Sequence, residues 1–121
     1  MPDEFGIRDR RNLDRVKMNY PATYTRYDNW GNPCDQRIAK VVQVSLKGVR
    51  LQSSFRVEPG EMLDVTLALG DNLVSFKGRA IHARLSEEQG FELGISIEDI
   101  EDEQRATLIR FLSRIRNLMG G

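Results

Sequence analysis

Short runs of alternating apolar residues, parted by turn clusters and closed by one run with helical spacing, leave few folds open to this chain. The clearest run is Met62 to Leu69, where Leu63, Val65, Leu67 and Leu69 alternate with more polar neighbours. A period of two belongs to a strand with one face buried. From Val16 the same period appears in Val16, Met18, Tyr20, Ala22 and Tyr24, with Pro21 inside it pointing to an edge or a bulge. A second region runs from about Arg37 through Ser45 and resumes as Val49-Arg50-Leu51, so Gly48 reads as a bulge or a close backbone approach. Further strand regions span about Leu73 to Leu85 and Phe91 to Ile97. The separators are rich in turn formers: Asp28-Asn29-Trp30-Gly31-Asn32-Pro33, Ser53 to Gly60, Gly70-Asp71-Asn72 and Ser86 to Gly90. Such spacing predicts a small antiparallel sandwich or barrel.

The end of the chain changes period. Leu108, Ile109, Phe111, Leu112, Ile115, Leu118 and Met119 recur at the spacing of an amphipathic helix, expected over about 99–119. Asp99 or Asp102 can cap its start, the acidic run suits its positive end, and Arg114 and Arg116 suit its negative end. One helix after an all-β run is expected to cover an open end or face of the barrel. Residues 1–15 hold few apolar side chains and read as a flexible arm ahead of one domain spanning 16–121.

Composition narrows the function. Formal net charge is zero, from 18 basic and 18 acidic residues, which disfavours the broad basic face that duplex nucleic acid requires. A local patch exists instead: residues 8–17 carry five basic side chains against two acidic ones. No apolar run approaches the roughly 20 residues of a membrane span, so no membrane insertion is expected. The N-terminus lacks the apolar core of a signal peptide, and a cytoplasmic location is the expectation. Cys34 is the only cysteine and His82 the only histidine. No metal site of ordinary spacing and no catalytic constellation is therefore expected. His82 reads as a sheet-face residue, and Trp30 reads as an exposed contact or, the favoured expectation, as packing against the barrel rim.

Two segments in fixed order carry the chemistry. Arg11 and Arg15 stand four apart on the arm, preceded by Arg10. A guanidinium binds phosphate through a planar fork and stacks on aromatic rings. It can also meet guanine at O6 and N7. Arg110 and Arg114 share the spacing, but there it only places both on one helix face. Further on, Gln43 and Ser45 share one strand face, and Gly48 follows three residues later.

Arg11-x-x-x-Arg15 before the first strand and Gln43-x-Ser45-x-x-Gly48 after it resemble the two marks of the PilZ family. Those marks are R-x-x-x-R and [D/N]-x-S-x-x-G. Pro59-Gly60-Glu61-Met62-Leu63 and Phe91-Glu92-Leu93-Gly94-Ile95-Ser96-Ile97 also look like family segments, with Ile97 where an aromatic is common. The resemblance extends over about residues 8–118. It implies a six-stranded antiparallel β-barrel with a C-terminal helix, in a stand-alone, non-catalytic receptor for cyclic di-GMP. Arg10, Arg11 and Arg15 would bind phosphates and guanine edges, Ser45 would hydrogen-bond, and Gly48 would allow close approach. The ligand could be an intercalated dimer, and ordering of the arm would alter binding to a downstream protein. Gln43 departs from the family's Asp or Asn: it keeps a carbonyl acceptor but loses the charge and adds a methylene. That departure leaves a second reading open, a protein-interaction adaptor that no longer binds nucleotide.

Overall fold

The computed structural model describes residues 16–87 and 89–120, so Arg10, Arg11 and Arg15 on the expected arm lie outside the described residues. Six strands form the framework: β1 (Val16–Tyr27), β2 (Pro33–Val44), β3 (Gly48–Ser53), β4 (Met62–Leu69), β5 (Asn72–Leu85) and β6 (Phe91–Asp99). The one helix among the described residues, α1 (Asp102–Gly120), follows. Every pairing is antiparallel, and the order β1-β2-β3-β6-β5-β4 closes into a barrel. Ala22 to Arg26 of β1 lie opposite Leu67 to Leu63 of β4 and complete the closure.

The period of two becomes burial directly. Leu63, Val65, Leu67 and Leu69 of β4 all point inward, meeting Tyr24, Val41, Leu51, Val74 and Leu93 from the other strands in one core. Burial of this kind stabilises by about 25 cal/mol per Å² of apolar surface removed from water. One polar pair lies inside it: the hydroxyls of Tyr24 and Ser53 share a hydrogen bond of 2.8 Å, and Ser53 Oγ also accepts the Phe55 N–H at 3.1 Å. Pro21 costs the sheet little. The ladder with β4 begins one residue later, at Ala22, and the β1–β2 register shifts between Lys17 and Tyr20.

Four local expectations are corrected. Gly48 is not a bulge within one strand; it opens β3 after a tight turn from Ser45, and β2 and β3 run antiparallel beside each other. The helix starts at Asp102 with Glu101 before it, whose carbonyl accepts the Arg105 N–H at 2.9 Å. Asp99 instead ends β6, while Asp102 and Glu103 sit in the first turn where the helix dipole favours negative charge. No basic residue lies in the last turn. Trp30 does not pack on the rim; it is 81% exposed. Its turn is held from inside by the Asp28 carboxylate, which accepts the N–H groups of Trp30 and Asn32, each at 2.9 Å.

The helix lays Leu108, Phe111 and Leu112 on the barrel, with Phe111 edge-on to Tyr20 at 5.7 Å between ring centroids. Gln104 fastens its first turns to β5, its Oε1 accepting the Ser75 N–H at 2.7 Å. No described helix is long and apolar enough to cross a membrane.

Candidate ligand-binding site

A groove of about 450 Å³ lies on the outer wall of the barrel, over β2, β3, β6 and β5. Gln43, Ser45 and Gly48 all line it, joined by Lys47, Arg50, His82, Gly94 and Ser96. Two β-bulges build it. In β2, Val41 faces Leu51 while Gln43 faces Arg50, so Val42 is the extra residue. In β5, Ala80 faces Ile95 while His82 faces Gly94, so Ile81 is the extra residue. A bulge re-aims the side chain that follows it. Both re-aimed residues fall in one row across the sheet, Gln43–Arg50–Gly94–His82.

At the edge of this row the β2–β3 turn is closed by Ser45. Its N–H donates to the Gly48 carbonyl at 2.9 Å. Its hydroxyl donates to the same carbonyl at 3.2 Å and accepts the N–H groups of Lys47 at 3.2 Å and Gly48 at 3.3 Å. The Lys47 carbonyl in turn accepts the Ile97 N–H at 2.9 Å, tying the turn to β6. Gly48 is required by space: a Cβ there would stand 2.6 Å from the carbonyl oxygen of Ile95. The close approach read from the sequence is thus present, between β3 and β6.

Gly94 plays the matching part beneath His82. A Cβ at Gly94 would meet the imidazole, with Nε2 at 2.6 Å and Nδ1 at 2.7 Å, so the ring rests against bare backbone. Burial pushes the His82 imidazole below its ordinary value, and the charges of Arg50 and Arg84 push the same way against Glu92. Neither Arg50 nor His82 has a hydrogen-bond or ion-pair partner among the described residues. Arg84, by contrast, is held by Glu92 at 2.6 Å. A second groove, of about 710 Å³, adjoins the first and shares Gln43 and Arg50 with it.

The chain enters beside this row. Val16 lies opposite Val44, and Lys17 opposite Gln43. Arg50, His82, Gly94 and Ser96 were not singled out as site residues by sequence. Arg50 carried a signal, since two residues past Gly48 puts it on the same face. Gly94 carried another, a glycine inside a strand. His82 was read as a sheet-face residue and is one; its place in the row depends on the bulge. Among the described residues no group of His, Cys, Asp and Glu is arranged to hold a metal ion.

Known proteins agree with this architecture. The structure of the Bacillus subtilis inhibitor of motility, MotI/DgrA, superposes with a TM-score of 0.72 at 10% identity, covering 87% of this chain and 50% of that one. YcgR of Escherichia coli, solved in complex with c-di-GMP, gives 0.64 at 10% identity over 85% of this chain and 45% of its own. A tetrameric PilZ domain protein of Xanthomonas campestris gives 0.55 at 21% identity over 74% and 51%. The chain therefore spans about half the length of these structures. No curated protein sequence matches it. The PilZ domain family model matches residues 9–114, from ahead of the arginine pair into the helix. With the barrel, the helix and the β2–β3 turn in place, the chain belongs to the PilZ family, a family of non-catalytic c-di-GMP receptor domains.

Proposed function

We propose that this protein is a c-di-GMP receptor whose N-terminal arm closes over the nucleotide on the outer wall of the barrel. One observation supports the reading: the β1–β2 register sets Val16 opposite Val44 and Lys17 opposite Gln43, so the described start of β1 lies against the end of β2 that leads into Ser45 and Gly48. Arginines from the arm bind the phosphodiester oxygens in bidentate fashion and cover the guanines. Gln43 accepts from a guanine edge through its carbonyl. Ser45 holds the turn and presents it to the ligand, and Gly48 lets a flat base approach. The adjoining grooves offer room for an intercalated pair of nucleotides. Ordering of the arm changes the surface shown to a downstream protein of motility, biofilm or polysaccharide control, a disorder-to-order switch acting in the cytoplasm.

Calorimetric titration of c-di-GMP into the protein and into Arg15→Ala tests this. Saturable heat lost in the variant supports the receptor reading, and the stoichiometry separates one nucleotide from a stacked pair. Absence of heat in both favours the second reading, an adaptor contacting proteins alone. Gln43 in place of a charged acceptor is the feature behind that alternative.

A further inference from the structure

The transverse row holds two groups that belong to neither family motif and have no hydrogen-bond or ion-pair partner among the described residues. Arg50 stands between Gln43 and Gly94, partly buried on β3 and lining both grooves. His82 stands on the far side of Gly94, turned there by the Ile81 bulge and seated where any larger residue than glycine would displace it. Nearby Glu92 is engaged by Arg84 through two hydrogen bonds at 2.9 and 2.6 Å, and no carboxylate is among the described residues that line the first groove. A guanidinium and an imidazole facing one groove without an anion make a site for one.

We infer that Arg50 and His82 contact a phosphate of the bound nucleotide from the barrel wall. The inference rests on the receptor reading above and adds a chemical consequence to it. Among the described residues the charges that act on His82 are Arg50 from β3, Arg84 from its own strand and Glu92 from β6, and Lys47 of the β2–β3 turn lines the same groove. A phosphate at Arg50 cancels the repulsion from that cation and adds an attraction of its own. The imidazole then takes up a proton from solvent as the nucleotide binds, and donates from nitrogen to a phosphate oxygen. Affinity consequently rises as pH falls through the imidazole's value in the complex, and levels off below its value in the free protein. His82 is the only histidine, so no other side chain has an ordinary value in this range.

The test is titration of c-di-GMP at about pH 5.5 and about pH 8 into the wild type, His82→Gln and Arg50→Gln. The wild type is expected to bind more tightly at the lower pH, by up to about tenfold for each unit by which binding raises the imidazole. His82→Gln keeps a hydrogen-bonding side chain without a titrating one, and should bind equally at both values. Arg50→Gln should weaken binding at both, by roughly tenfold for a lost charged contact. The His82 ring proton resonances should titrate at higher pH with nucleotide bound than without. Equal wild-type affinity at both values, the same pH dependence in His82→Gln, or undiminished binding by Arg50→Gln each overturns the inference and leaves the receptor reading standing. Absence of saturable binding in all three proteins removes the receptor reading, and this inference with it.

Discussion

Two glycines on the same wall of the barrel exclude a side chain for different reasons, and the same substitution should separate them. At Gly48 a Cβ would press on the carbonyl oxygen of Ile95, part of the β3–β6 backbone. That oxygen cannot turn aside, so Gly48→Ala should cost about 1–3 kcal/mol, seen as a lower urea midpoint at unchanged slope. At Gly94 the obstacle is the imidazole of His82, a side chain that can rotate toward solvent. Gly94→Ala should therefore keep most of its stability, within about 1 kcal/mol of wild type, yet lose the pH dependence of nucleotide binding. Equal destabilisation by both would show that His82 is fixed as firmly as backbone. A second residue-scale effect lies at the opposite end of β1. Arg26 grips Glu61 through Nε at 3.0 Å and Nη2 at 3.1 Å, and Glu61 also accepts the Glu58 N–H at 2.9 Å. Burial alone would raise the Glu61 carboxyl, but these bonds and the charge of Arg26 hold it below its usual range. A carboxyl depressed in the folded state contributes stability above its unfolded value and loses it as pH falls through the folded one. The melting temperature should thus fall on acidification below about pH 4.5, and Glu61→Gln should flatten that part of the profile.

Elements follow the sequence where one local period decides them and depart from it where a neighbour decides. β4 could be read from its residues alone, because each second side chain enters the core without interruption. The break between β2 and β3 could not. Leu46 and Lys47 form its corner and carry no glycine, proline, asparagine or aspartate; the turn is closed by the hydroxyl of Ser45 instead. The bulges at Val42 and Ile81 are also silent, since an extra residue is defined only against the partner strand. The helix shows the limit of periodicity in another way. Ile109 and Leu118 fit the apolar spacing, but both are exposed, while Leu108, Phe111 and Leu112 carry the contact. Phe111→Ala should accordingly cost about 3–5 kcal/mol through the space left beside Tyr20. Ile109→Ala should stay within about 0.5 kcal/mol of wild type. Chemical denaturation of both variants decides this, and a large loss in Ile109→Ala would indicate that the outer helix face is covered in solution.

At the scale of the whole molecule, closure is what assembles the site. Gln43, Arg50, Gly94 and His82 are distant in sequence and become a row only when β3 pairs with β2 and β6, and β6 with β5. The family motifs were legible because they are local: Gln43, Ser45 and Gly48 occupy one strand end and one turn. The remaining half of the wall was not legible, because it depends on register between strands far apart in the chain. A ligand that spans this row and the arm binds only the closed barrel and should stabilise all of it together. At a free nucleotide concentration of about 100 times the dissociation constant, linkage gives roughly 2.7 kcal/mol. For a domain of this size that corresponds to a rise of roughly 10 °C in melting temperature. The rise should appear as a shift of one transition, followed equally by far-ultraviolet circular dichroism and by Trp30 fluorescence. Arg15→Ala should melt at the wild-type temperature without nucleotide and fail to shift with it. If the wild type also fails to shift at millimolar nucleotide, the barrel is a protein-binding surface, and the loss of the acidic acceptor at Gln43 becomes its explanation. If the two signals separate, the helix or the Trp30 turn melts apart from the barrel. The coupling between site and fold would then be confined to the strands that form the row.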